Sequence, residues 1–456
     1  METSLATLQK HALDDPAGFL GDVLARTKKA GADSADTMLG ESQSLSAERR
    51  LGNTEGLERS ESRDLTLRVL IGKRQAIVSA TDLSDKTVAA LVERGIAMAR
   101  LAPEDPFIGI AEPAQLARSL TDLDTADAAD PSPETLDARA AAAEDAALAV
   151  KGITNSEGAQ AGWGRSRLHF AATNGFFGSV TQTRHSVAVA VLAGEGTAME
   201  RDDDYAVAIH ASDLRDPAEI GRSAAERALR RLNPRKMATT KAPVMFEPRA
   251  AVSLIGHLSG AINGQAIARG TSFLKDKNGK PVFAPRITIV DDPLRRRGLR
   301  SRAFDGEGLP TARRALIENG VLTSFLLDLA TARQLKMTAT GSATRGGSGL
   351  PSPSTSNLYL EAGATAPERM MAEIGTGLYV TELIGMGVNL VTGDYSRGAA
   401  GFWIENGERA YPVSEITIAG TLPEMFAGLE AASDLTFRWG TDSPSVRVPA
   451  MTVAGR

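Results

Sequence analysis

The chain's imidazoles are His11, His169, His185, His210 and His257, and no two stand at the spacing that sets a pair of metal ligands on one helix face. A hydrolytic zinc site takes about three protein ligands and an open position for water. Such a site would have to be gathered from distant histidines, so ordinary core or surface roles are the expectation. Cysteine is absent, which removes disulfides, iron–sulfur clusters, thiolate zinc ligands and a cysteine nucleophile. There is no Gly-x-Ser-x-Gly elbow, no Gly-x-x-x-x-Gly-Lys-Ser/Thr loop and no Gly-x-Gly-x-x-Gly turn, so serine hydrolases, nucleotidases and Rossmann oxidoreductases lose their signatures. Asp291-Asp292 and Asp305-Gly306-Glu307 offer carboxylates, but acid–base pairs are recognised by geometry, and turn formation is the expected role. The run Gly341–Gly349 has backbone donors that suit a peptide or anion, with a surface loop as the favoured reading.

The elements that would position these residues follow from periodicity and punctuation. Leu8, Leu13, Phe19, Leu20, Val23 and Leu24, interrupted at Asp14-Asp15-Pro16, predict two short helices. Leu65, Leu67, Val69 and Ile71 alternate with Thr66 and Arg68, and Gly72-Lys73 then predicts a hairpin with Ala76–Ser79, while Ala35–Glu61 supplies further antiparallel strands. Ser84 caps a helix whose face is Val88, Leu91, Val92, Ile96 and Ala99. An acidic linker, Thr121–Glu134, precedes a helix over Thr135–Lys151. Strands at Arg167–Ala172, Ser186–Leu192 and Tyr205–His210 lead to a helix at Pro217–Leu232.

Pro234 and three basic residues place a domain boundary in Asn233–Ala242, giving an N-terminal domain over 1–235 and a C-terminal one over 236–456. The second begins with a strand at Pro243–Phe246 and a helix from Pro248 with Val252, Leu254, Ile255, Leu258 and Ile262 on one face. β-type runs follow at Ile287–Val290, Ala315–Glu318, Val321–Leu327, Leu358–Glu361, Gly387–Leu390, Gly401–Ile404 and Glu415–Ala419. The fold class is therefore α+β: an N-terminal α/β-layer domain on an antiparallel sheet, then a β-rich domain with a curved or barrel-like sheet.

A length of 456 residues suits two domains, and 42% hydrophobic residues suit a buried core. The 51 basic and 56 acidic residues give a net charge of -5, which provides no electrostatic footprint for nucleic acid. The N-terminus lacks a basic start followed by an apolar stretch, and no window approaches the roughly 20 apolar residues of a membrane span. The expectation is a cytoplasmic protein that contacts neither membrane nor nucleic acid.

Several segments, taken in order, resemble the TldD/PmbA family, also called the modulator of DNA gyrase family. They are Arg269-Gly-Thr-Ser272, Ile287–Asp292, Phe304-Asp-Gly-Glu-Gly-Leu-Pro-Thr311, Leu316-Ile-Glu-Asn-Gly-Val321, Val391-Thr-Gly-Asp-Tyr-Ser-Arg-Gly398, Trp403-Ile-Glu-Asn-Gly407 and Pro449-Ala-Met-Thr-Val-Ala-Gly455. The N-terminal half resembles the family's first domain through Arg68–Ser79 and the helix after Ser84. TldD-type chains of that family carry a His-Glu-x-x-x-His helix that binds zinc, with a C-terminal cysteine as a further ligand. Counting back from Arg269, the two histidine positions fall at Ile255 and Gly260, the glutamate at Gly256, and Ser443–Ser445 occupies the cysteine region. The departure resembles the TldE (PmbA) member, which is similar in fold but depends on TldD for the metal.

The resemblance implies a TldD–TldE heterodimer acting as a metalloprotease on unfolded peptides, with zinc in the partner subunit. It implies no catalytic, cofactor-binding or metal-ligating residue in this chain. His257, Arg269, Arg345, Tyr395 and Arg397 lie in or beside the family-like segments and have donors suited to peptide carbonyls or carboxyl ends; they are the peptide-cleft candidates. The competing reading is a regulatory or binding protein, a homodimer when no partner is present, that modulates a topoisomerase or an antitoxin.

Overall fold

A computed structural model describes residues 14–346 and 349–455. Helix α1 (Pro16–Lys29) starts where Asp15 accepts the Gly18 N–H at 2.9 Å, and it buries Leu20, Val23 and Leu24. The first of the two predicted helices, with Leu8 and Leu13, lies outside the described residues. Strands β1 (Ser34–Arg50), β2 (Asn53–Ile71) and β3 (Arg74–Ala80) form a meander. Gly72 makes the tight β2–β3 turn, with a φ of +58° that a side chain would strain. Helix α2 (Asp85–Leu101) is capped by Ser84 and buries the predicted Val88, Leu91, Val92, Ile96 and Ala99. After α3 (Pro133–Leu148) come β4 (Ile153–Ala172), β5 (Phe177–Ala193), β6 (Glu200–Ala208) and α4 (Pro217–Arg230).

The six strands make one sheet in the order β3-β2-β1-β4-β5-β6, antiparallel throughout. Two pairs of helices bury two separate clusters on it. Helices α1 and α2 cover Leu39, Leu65, Leu67 and Val69; α3 and α4 cover Ala47, Ala161, Val187 and Val189. The sheet between and beyond them is wet, and residues 53–63 of β2 are almost all exposed. The expected lengths of β4 and β5 are corrected. These strands run 20 and 17 residues because ladder hydrogen bonds continue through stretches whose buried side chains are mostly small or polar, such as Ala159, Ala161, Thr183 and His185.

The C-terminal half begins with β7 (Thr240–Phe246), α5 (Pro248–Ala261) and α6 (Gly264–Ala268). It continues through β8 (Ile289–Asp291), β9 (Arg314–Glu318), β10 (Val321–Leu322), α7 (Leu329–Leu335), β11 (Ala343–Thr344), β12 (Ser352–Pro353) and β13 (Leu358–Leu360). The remaining elements are α8 (Pro367–Ile374), β14 (Gly377–Ile384), β15 (Asp394–Glu405), β16 (Glu408–Thr421), α9 (Leu422–Ala427), β17 (Glu430–Ala431), β18 (Thr441–Asp442) and β19 (Val446–Ala454). Strands β16-β15-β14-β7-β19 close into a five-stranded barrel through Thr417↔Ala454, Ile418↔Val453 and Ala419↔Thr452, which leaves no free edge within the ring. A second sheet, β10-β9-β8-β13-β18, lies beside it, and α5 packs against members of both.

The α+β class with an antiparallel N-terminal sheet and a closed C-terminal barrel is therefore the observed one. Local expectations are corrected as well, and the strand expected over Val321–Leu327 is limited to Val321–Leu322. Gly387–Leu390 is no strand: it forms one bridge, Val388↔Tyr395, inside a turn held by Asn389 and Gly393, and a Cβ on Gly387 would lie 2.0 Å from the Ser396 carbonyl oxygen. The helix expected to reach Leu232 ends at Arg230, and Val252 sits only half-buried at the rim of the α5 face. Among the described residues no helix is long and apolar enough to cross a membrane.

Candidate functional site

Helix α5 carries the three positions to which the resemblance assigns metal chemistry. Pro248 opens it without losing a helical hydrogen bond, and Ala250, Leu254, Ile255 and Leu258 anchor it in the C-terminal core. Of the three ligand-helix positions, Ile255 is buried against Phe283, Ile289, Leu360 and Leu429 around a small apolar cavity that Ser443 also lines. The fold thus brings the histidine position and the cysteine region together, but on a dry hydrocarbon surface. The Ser443 hydroxyl is spent on the Pro444 carbonyl oxygen at 2.8 Å. At Gly256 an added Cβ would meet nothing within 4 Å, and at Gly260 it would lie 2.9 Å from Leu390 Cδ1. A zinc ion does not fit these residues, since none offers a donor, and among the described residues no three His, Asp or Glu side chains converge as a metal-holding group.

One turn along α5, His257 meets Tyr395 of β15 edge to face, with ring centroids 6.0 Å apart. Tyr395 and Arg397 stand two residues apart on the strand and so share a face. Burial, aided by the nearby Arg397 guanidinium, lowers the His257 pKa to about 4, so its ring is neutral at physiological pH. Burial also pushes the Tyr395 phenol up, against the opposing pull of Arg397. Arg397 Nη2 donates to the Leu383 carbonyl oxygen at 3.4 Å. It borders a cleft of about 340 Å³ between β6, α5 and β14 whose other charged walls are Arg201, Asp202, Asp203, Arg231, Arg249 and Glu382.

The five sequence candidates therefore divide. His257, Tyr395 and Arg397 come together, whereas the other two lie elsewhere. Arg269 caps α6 in solvent and donates to Gln265 Oε1 at 3.0 Å. Arg345 is buried and forms a two-pronged ion pair with Asp36 of β1, at 2.5 and 3.1 Å. Arg68 of β2 grips the same carboxylate at 2.6 Å. Burial works against ionising Asp36, but the two guanidiniums outweigh it and hold its pKa below the usual value. Asp305 does form a turn, accepting the backbone N–H groups of Glu307, Leu309 and Ala343. Glu307 is deeper: burial and the neighbouring Asp305 raise its pKa to about 8, and it accepts the Leu329 N–H at the start of α7. Gly347 and Ser348 of the glycine-rich run lie outside the described residues.

Sequence reasoning missed the charged walls of the cleft and a second cavity of about 660 Å³, where Met38, Asp64, Phe170, Phe304 and Arg345 from both halves of the chain meet residues 120–126. The run Asp202-Asp203-Asp204 was a visible signal, but only pairing of β6 beside α4 and α5 turns it toward the arginines.

Fold and site together define a metallopeptidase-type scaffold in which positions 255, 256 and 260 of α5 are Ile, Gly and Gly. The chain belongs to the PmbA/TldA metallopeptidase family: sequence models of its domain 1, central domain and C-terminal domain match residues 35–99, 126–232 and 239–455. It is 40% identical over 426 residues to Metalloprotease PmbA of Escherichia coli O157:H7, covering 93% of each chain. It is 34% identical to the Metalloprotease PmbA homolog of Haemophilus influenzae, covering 99% of this chain and 98% of that one. Its structure resembles that of a proposed modulator of DNA gyrase from Bacteroides thetaiotaomicron, with a TM-score of 0.90, 27% identity and coverage of 97% and 99%. It also shares the fold of TldE from Thermococcus kodakarensis, with a TM-score of 0.85 at 20% identity and coverage of 96% and 100%.

Proposed function

We propose that this chain is the non-catalytic, TldE/PmbA-type subunit of a two-chain metalloprotease that degrades or trims unfolded peptides. A TldD-type partner supplies the zinc site, and this chain shapes the substrate cleft. The observation that carries the reading is the state of α5. The whole family scaffold is kept, yet Ile255, Gly256, Gly260 and Ser443 present hydrocarbon, bare backbone or a spent hydroxyl where ligands would stand. What the chain itself can contribute is binding. Open strand edges outside the closed barrel can pair with an extended peptide through main-chain hydrogen bonds, which asks little of its sequence, and the cleft beside Arg397 adds polar contacts.

The test is metal content and cleavage of an unstructured peptide by this chain alone, by a TldD-type chain from the same cell, and by their mixture. Zinc and activity that appear only when the TldD-type chain is present, with activity highest in the mixture, are the expected results. Zinc bound tightly by this chain alone, or peptide cleavage by it, overturns the reading. A stable complex without any cleavage would instead move the chain to the regulatory class.

A further inference from the structure

Four guanidiniums line the cleft beside α5, and three of them are matched by carboxylates. Arg201 pairs with Asp203 and Glu157, Arg231 with Asp202 and Glu382, and Arg249 with Asp202 and Glu247. Arg397 is the exception: among the described residues no carboxylate pairs with it, and its polar contact is the long one to the Leu383 carbonyl. Its Nε is buried without a hydrogen-bond partner, and so are Tyr395 Oη and His257 Nε2. Three polar atoms from one strand face and the facing helix are thus left without hydrogen-bond partners, with Arg397 on the cleft wall and Tyr395, only 1% exposed, and His257 outside its lining.

The chemistry of this group is one-sided. A guanidinium N–H can only donate, a buried phenol that stays protonated is foremost a donor, and a neutral imidazole nitrogen takes either role. Buried donors without acceptors are costly and rare in folded proteins. Here they lie near a cation with which, among the described residues, no carboxylate pairs. The partner they lack is therefore an anionic acceptor. A carboxylate is the best match, because its two oxygens suit the planar fork of an arginine and can still accept from a phenol. At about 340 Å³ the cleft lies at the small end of ligand pockets, which suits the end of a chain better than its middle.

We propose that Arg397, backed by Tyr395 and His257, is a carboxylate subsite that anchors a bound peptide by its C-terminal carboxylate. The proposal rests on the peptide-holding role given above, but it concerns binding by this chain and is measured without cleavage. An unstructured hexapeptide is titrated calorimetrically into the full chain in three forms: free acid, C-terminal amide, and amide ending in Asp.

The free acid is expected to bind at least about tenfold more tightly than the plain amide, and Arg397→Gln is expected to abolish that preference. Tyr395→Phe should cut the preference several-fold while leaving the thermal melting temperature unchanged or higher, since it removes an unsatisfied hydroxyl and keeps the ring. Arg397→Lys, which keeps the charge but loses the fork, should retain only part of the preference. Equal affinity for free acid and amide, or no binding of either, overturns the subsite. If the Asp-ended amide binds as tightly as the free acid, a side-chain carboxylate suffices and the terminal assignment falls. A mixture active on peptides together with no carboxylate preference would leave the two-chain reading standing and remove only this subsite.

Discussion

Glu307 and His257 titrate in opposite senses because burial disfavours the charged form of each. Glu307 is an acid whose pKa is raised to about 8 in the folded chain, so between its ordinary value and about 8 the native state holds a proton that the unfolded state has lost. Its contribution to stability is fully present in acid and falls as pH rises through that window, with an amplitude on the order of a few kcal/mol. His257, lowered to about 4, works the other way: it favours the fold above its ordinary value, and that share is lost as pH drops toward 4. Thermal melts across pH 5 to 9 should therefore show Glu307→Gln losing less stability with rising pH than the parent chain. Parallel pH profiles for the two would contradict the assignment. The motif containing Glu307 was legible in the sequence, but its burial was not, because the walls around it come from Arg68, Asp328 and Leu329 on other elements.

Among the elements, α3 and α4 depend on one small residue. An added Cβ on Gly221 of α4 would lie 2.0 Å from the Ala143 carbonyl oxygen of α3, so the two helices touch backbone to backbone. Gly221→Ala should force them apart and cost about 1–3 kcal/mol by overpacking, despite alanine's better helix propensity. Chemical denaturation of the variant measures this, and a stabilised variant would show that the contact is loose. Elements with both a cap and a period were readable: Ser84 before α2, Pro248 before α5 and the Gly72 turn all behave as their local chemistry dictates. The first reaches of β4 and β5 were not, since their buried side chains are mostly small or polar, as at Ala159, Ala161, Thr183 and His185, and carry little apolar signal. Gly387–Leu390 misled for a different reason, as its apolar residues serve a turn packed beside β15.

At the scale of the whole molecule, the N-terminal sheet and the C-terminal half are joined by the Asp36 carboxylate between Arg68 and Arg345, three side chains almost sealed from solvent. Removing the shared anion leaves two buried cations facing each other. Asp36→Asn should therefore destabilise the chain by about 3–5 kcal/mol, read as a lowered melting temperature. A melt unchanged from the parent would mean that water reaches the pair. The sequence alone determined the α+β class, the local helices and turns and the family resemblance. It also determined that α5 carries Ile255, Gly256 and Gly260 at the positions where the resemblance implies two histidines and a glutamate. Each of these depends on residue identity or on spacing within one element. Only the tertiary structure decided that Arg345 is a structural clamp, that Arg269 lies in solvent, and that His257, Tyr395 and Arg397 form one group beside a cleft. Those outcomes depend on contacts between residues such as Asp36 and Arg345, 309 positions apart, and pairing at that separation is set by how sheets and barrel pack, which no local pattern encodes.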